Sequence, residues 1–214
     1  QPKNWLPAIE LPAIVGGDGN DELDGVNGED DISGGLGDDS IDGGNDNDTL
    51  AGDDGDDSMY GGTGIDVLDG GDGDDSMYGS SGDDVLNGGL GNNYMNGGSG
   101  TDTADYSDAV NTVAVNLQAG SAVVNGEGVD SLFSIENVIG SVDGDTLFGS
   151  TGANTLDGGT GDDIINGNTG VDTLIGGAGA DWFVFDNLTN IDVVNDFSIT
   201  DDSIVLDEDI FTQL

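Results

Sequence analysis

The chain has 214 residues, of which 45 are acidic and one, Lys3, is basic; with no histidine its formal net charge is −44. Such a surface attracts cations and repels nucleic acid, acidic polysaccharide and anionic membranes. No cysteine is present, so disulfides and thiol chemistry are excluded, and 41 glycines with only three prolines do not fit a collagen period.

The first 15 residues, QPKNWLPAIELPAIV, set Trp5, Leu6, Ile9, Leu11 and Ile14 beside prolines and read as an extended cap or a junction to an upstream domain. The opening Gln1, in place of Met, suggests a fragment or processed piece.

Residues 16–105 then divide without a gap into ten nonapeptides, beginning GGDGNDELD, GVNGEDDIS and GGLGDDSID. Residues 106–139 break the period; within them 112–117 (TVAVNL) and 121–124 (SAVV) alternate as strands around an Ala-Gly turn, and 134–141 (SIENVIGS) re-enters the register. Five more nonapeptides fill residues 140–184, and residues 185–214 contain two apolar runs, 191–197 and 203–206, expected as capping strands. There Asp192 and Asp196 either close a last cation site or are simply solvated.

Across the fifteen repeats, position 1 is always Gly, position 4 is Gly in thirteen, position 6 is Asp in thirteen and Asn in two, and position 8 is apolar. Positions 7–9 predict a three-residue strand with one inward side chain, because strand side chains alternate faces. Glycines at positions 1, 2 and 4 predict a tight turn with backbone angles closed to other residues. Turn plus strand reverses the chain, so two repeats, 18 residues, make one coil of a parallel two-sheet stack. The 18-residue echo of DDSMYG then places Met59, Met77 and Met95 in one inward column, with Leu50, Leu68 and Leu86 opposite.

One aliphatic side chain per repeat yields about 1.5–3 kcal/mol, while ordering nine residues costs roughly 1–2 kcal/mol each. The apolar core alone does not hold this chain together. Stacked turns bring position-6 carboxylates into columns, and a hard divalent ion between turns converts that repulsion into ligation. The candidate ligands are Asp21, Asp30, Asp39, Asp48, Asp57, Asp66, Asp75, Asp84, Asn93, Asp102, Asp145, Asn154, Asp163, Asp172 and Asp181. With backbone carbonyls completing an all-oxygen shell, calcium fits better than magnesium. The bland alternative is that Asp and Gly merely favour turns, each carboxylate bonding nearby backbone.

The repeated GGxGxDxUx pattern resembles the RTX (repeats-in-toxin, haemolysin-type) calcium-binding family, a likeness carried by all fifteen repeats. It implies an all-β, right-handed parallel β-roll, in which residues 106–139 lengthen a coil without ending the roll and a strand cap follows the repeats. It also implies shared ligands: carbonyls at positions 2 and 4 face one ion, those at positions 1 and 3 the ion on the other side, and the position-6 Asp bridges both. Carried over, the position-2 carbonyls are those of Gly17, Gly35, Gly44, Gly62, Gly71, Gly89 and Gly159. The position-4 carbonyls are those of Gly19, Gly28, Gly37, Gly55, Gly64, Gly73, Gly82, Gly91, Gly161 and Gly170. Gly17, Gly19 and Asp21 would share an ion with Gly34, Leu36 and Asp39, and Gly35, Gly37 and Asp39 the next with Gly52, Asp54 and Asp57. Pairing each repeat with the next but one allows eight sites in the first block and three in the second, up to about eleven. Asp46 and Asp143 at position 4, and Asn93 and Asn154 at position 6, are expected to weaken or remove the sites they touch.

Without His or Cys, no hydrolase triad or zinc protease motif exists, and carboxylates in rows do not make a glycosidase pair. The expected function is non-enzymatic: a calcium-folded structural module of a secreted bacterial protein, exported unfolded by type I secretion as the family resemblance implies. The usual C-terminal secretion signal is not evident before Leu214, which suggests a shortened piece. The alternative is an adhesin, surface-layer or carbohydrate-binding module making cell-surface or glycan contact through Tyr60, Tyr78 and Tyr94. Oligomeric state is not legible.

Overall fold

A computed structural model describes residues 13–187 and 190–206. Every regular element among them is a strand, and the strands form two sheets, one of ten and one of twelve. Within the two repeat blocks the chain alternates between the sheets and each strand pairs in parallel with the strand 18 residues on in its own sheet: Ile32 with Leu50, Leu50 with Leu68, Ile41 with Met59, Met59 with Met77. This is the β-roll with two nonapeptides per coil.

The position-8 side chains fill the space between the sheets. Met59, Met77 and Met95 stack in the twelve-stranded sheet, Leu50, Leu68 and Leu86 in the ten-stranded one, and all six are fully buried. Outside, Tyr60 and Tyr78 stack with centroids 4.9 Å apart, and Tyr94 and Phe133 extend the row.

In the first block the strands are longer than the nonapeptide suggests. Asp31–Leu36, Thr49–Asp54 and Ser58–Thr63 each run on through positions 1–3 of the following repeat, so those positions are ladder and not turn. The glycine requirement also divides. Positions 2 and 4 carry positive φ, as at Gly35 (108°) and Gly37 (113°), whereas Gly34 at position 1 has no such angle. Position 1 is glycine for lack of space: a Cβ on Gly16 would lie 2.5 Å from the Gly34 carbonyl oxygen and 2.7 Å from Asp21 Oδ2.

Residues 106–139 form one expanded coil. Val113–Asn116 and Ser121–Val124 appear where strands were expected, and a third strand, Gly128–Phe133, completes an antiparallel meander. Its outer members pair in parallel with Tyr94–Ser99 on one side and Thr146–Phe148 on the other. A meander standing in for one strand keeps the parallel sense only with an odd number of strands, and three is the smallest. In the other sheet Thr103–Asp105 pairs directly with Asn137–Ile139, so the coils continue past the insertion. Two extra strands lengthen one sheet by about 10 Å relative to its partner.

At the C-terminal end, Ser203–Leu206 is a strand, but 191–197 shrinks to Val193–Val194. Asp192 and Asp196 explain this. Each accepts amides from the preceding coil, bending the segment into a turn. Of the N-terminal cap, Ile14 opens the first strand, Ile14–Asp18, while Trp5, Leu6, Ile9 and Leu11 lie outside the described residues.

Candidate metal centre

Two edges of the roll carry the turns, and the position-6 side chains form a column along each. On the first, the amides of Asp21 and Asp39 donate to Oδ1 of Asp39 and Asp57 at 2.7 Å, Asp57 to Asp75 at 2.8 Å, and Asp75 to Asn93 Oδ1 at 3.0 Å. On the second, Asp30, Asp48, Asp66 and Asp84 donate to Asp48, Asp66, Asp84 and Asp102 over 2.8–2.9 Å. In the second block Asp145 donates to Asp163, Asp163 to Asp181, and Asn154 to Asp172.

Where a described coil precedes it, a carboxylate gives this ladder only one of its oxygens. The other, Oδ2, is buried with no hydrogen-bond partner in Asp21, Asp30, Asp39, Asp48, Asp57, Asp66, Asp75, Asp84, Asp102, Asp163, Asp172 and Asp181. The turn-forming role of Asp therefore accounts for half of each side chain. A buried ionised oxygen without a donor is costly, and native proteins rarely tolerate one, let alone a dozen.

The electrostatics carry the same strain. Burial pushes Asp75 and Asp163 up to about 7 and Asp84 up to about 6, with neighbouring carboxylates adding to the rise and the ladder amide opposing it. Burial also raises Asp48, Asp57, Asp66, Asp102, Asp172 and Asp181. These sites demand a positive charge.

Backbone oxygens supply the rest of a shell. The missing side chains of Gly55, Gly73 and Gly82 would fall on the carbonyl oxygens of Gly37, Gly55 and Gly64, so position-4 carbonyls point along the stack toward the next coil. Among the described residues, no backbone amide donates to the carbonyls of Gly37, Gly55, Gly64, Gly73 or Gly82. Position-2 and position-3 carbonyls are partly engaged: Leu90 N–H donates to Gly71 O at 2.8 Å and Gly19 N–H to Leu36 O at 2.6 Å. Each keeps a second lone pair. No three acidic side chains converge among the described residues. Oxygen-only donors, one or two carboxylates and several carbonyls, fit calcium.

Substitutions interrupt the columns. Asn93 turns Nδ2 to where other repeats hold Oδ2, and that nitrogen is buried without a partner. Asp145 is closed off, with Ser141 N–H 2.5 Å from Oδ2 and the Ser141 hydroxyl 2.9 Å from Oδ1. Asn154 accepts from Ser150 N–H at 2.7 Å and donates to Glu136 O at 2.7 Å. Asp46, by contrast, keeps the positive φ of position 4 (77°), with its carbonyl directed at Gly64.

Four column members lie outside the fifteen repeats, and of these only Asp192 is a candidate by sequence. Asp130, Glu136, Asp192 and Asp202 accept the amides of Asn93, Asp102, Asp172 and Asp181 at 2.9–3.1 Å. Residues 125–133, NGEGVDSLF, are a repeat with Asn at position 1, a signal present but masked by that one change. Before Glu136 the turn has shrunk by three residues, and the longer Glu side chain spans the gap.

The family model for the RTX calcium-binding nonapeptide repeat (4 copies) matches residues 14–41, 33–68, 51–86, 69–104, 139–174 and 158–187. The chain belongs to this family. RTX repeats bind calcium, and the partnerless Oδ2 atoms and position-4 carbonyls of this RTX chain are oxygens suited to that ion. No curated protein matches the chain.

Proposed function

We propose that this RTX chain is a calcium-driven folding module of a secreted bacterial protein, with a structural and secretion-assisting role and no catalytic one. The observation that carries this reading is the column of buried, partnerless Oδ2 atoms: the roll buries charges it cannot satisfy from its own residues. Where free calcium is scarce the chain stays unfolded, as export requires; outside the cell, ion binding supplies the missing free energy. The ions lie between stacked turns, held by position-6 Oδ2 atoms and position-4 carbonyls, with positions 1, 2 and 3 contributing their remaining lone pairs. Sites next to Asn93, Asp145 and Asn154 are weaker or absent, so occupancy falls below eleven. Even eleven divalent ions offset only about half of the net charge of −44, so the loaded roll stays acidic.

Far-ultraviolet circular dichroism in chelator and then in excess calcium tests the reading. A disordered spectrum that converts to β on calcium addition supports it, and a β spectrum in chelator defeats it.

Contact with a glycan through Tyr60, Tyr78 and Tyr94 is the weaker reading. Tyr60 and Tyr78 lie 5° from parallel, so each covers one face of the other and that face is closed to a partner. The stack serves better as a brace along the outer sheet. A glycan array with the three tyrosines changed to Ser separates these roles.

A further inference from the structure

Position 5 of the repeat, which the nonapeptide pattern leaves free, carries a second ladder. On the first edge the side-chain Oδ1 atoms of Asn20, Asp38, Asp56 and Asp74 accept the amides of Asp38, Asp56, Asp74 and Asn92 at 2.7–3.2 Å, and Asn92 Oδ1 accepts Val129 N–H at 3.2 Å. Elsewhere Asn47, Asp83 and Asp162 do the same for Ile65, Thr101 and Ala180 at 2.8–2.9 Å. Every Asp or Asn at position 5 of the fifteen repeats makes this bond. Glu29, one carbon longer, makes none among the described residues, and nothing there takes the Asp83 amide above Ile65.

The direction of this ladder matters. Position-6 side chains accept from the coil before, whereas position-5 side chains accept from the coil after. The amide of position 5 and the carbonyl of position 4 belong to one trans peptide and point opposite ways. Drawing that amide back toward the preceding coil therefore aims the carbonyl forward, and the position-4 carbonyls do point forward without an amide partner.

We propose that the position-5 Asp and Asn side chains are positioning residues for calcium: each locks the following coil's 4–5 peptide so that its carbonyl faces the next ion. This rests on the calcium reading above and adds to it a determinant of affinity that is not itself a ligand. It acts as a hydrogen-bond acceptor and not as a charge, so Asn serves as well as Asp. Where position 5 is apolar, as at Ile65, the carbonyl of the next coil is less firmly held.

The test compares calcium affinity and ion count for the 214-residue chain and four variants, by competition with a chromophoric chelator and by metal analysis. Ile65→Asn supplies a missing acceptor at an exposed site, and one hydrogen bond predicts calcium binding about threefold to tenfold tighter than in Ile65→Ala. Asp56→Ala should weaken binding by a similar factor, with Asp56→Asn staying within about twofold of wild type. The proposal is overturned if Ile65→Asn binds no tighter than Ile65→Ala, or if Asp56→Asn falls as far as Asp56→Ala. Because Ile65→Asn adds a contact, loss of fold cannot mimic its expected gain. A wild-type chain that takes up no calcium overturns the calcium reading itself, and the positioning role with it.

Discussion

The Asp57 amide donates to Asp75 Oδ1 at 2.8 Å, while Asp75 Oδ2, equally buried, has no partner. One oxygen builds the stack and the other is left for an ion. Asp75→Asn keeps the first function and removes the second. It should weaken calcium binding by about tenfold or more, the cost of placing an amide NH₂ where an ion needs an anionic oxygen. Isothermal titration against the wild-type chain checks this.

Asn93 is the natural version of that substitution, which makes its reversal informative. Asn93→Asp should add calcium uptake between Asp75 and Asp130 in the first column, seen as a higher ion count by native mass spectrometry. Its Oδ1 already accepts the Asp75 amide at 3.0 Å, so the ladder needs no rearrangement.

Gly34 and Gly17, the latter in the first coil with no turn stacked before it, should respond differently to alanine. In Gly34→Ala the new methyl meets Asp39 Oδ2 and, at 2.8 Å, the Gly52 carbonyl oxygen, displacing both a ligand and a neighbouring coil. Gly17→Ala meets nothing within 4 Å and suffers only the strain of φ 110°, about 1–2 kcal/mol. Urea denaturation in saturating calcium should show Gly34→Ala as the more destabilised of the two.

Calcium and protons should compete. Burial raises Asp75 and Asp163 to about 7 from an unfolded value of 3.8, so the metal-free roll binds more protons than the unfolded chain. The stability these groups allow is fully present below 3.8 and is lost as pH rises through about 7. In chelator the folded fraction should therefore grow on acidification. With calcium present the apparent affinity should fall as pH drops below about 7. Circular dichroism across pH, with and without calcium, follows both.

The period alone made most of this legible, because a strict nine-residue beat with one inward side chain leaves few ways to close a coil. The Met59, Met77 and Met95 column and the position-6 columns follow from 18-residue spacing. What stayed hidden had physical causes. The repeat at 125–133 tolerates Asn125 because no repeat turn stacks beyond it and Asp130 Oδ2 is taken by the Tyr106 hydroxyl at 3.1 Å. Glu136 was invisible because a longer side chain compensates for a shorter turn, which no fixed register can show. The need for glycine at position 1 was read as a backbone angle, whereas the obstruction comes from a neighbouring coil and the repeat's own carboxylate.

If the roll needs calcium to hold its buried carboxylates, small-angle X-ray scattering will show the chain collapse as the ion is added. In chelator at neutral pH the radius of gyration should lie near 50 Å, as roughly expected for an unfolded chain of this length, and fall to about 20 Å in millimolar calcium. The same concentration of magnesium should not produce the collapse. A compact particle in chelator, unchanged by calcium, would contradict the account.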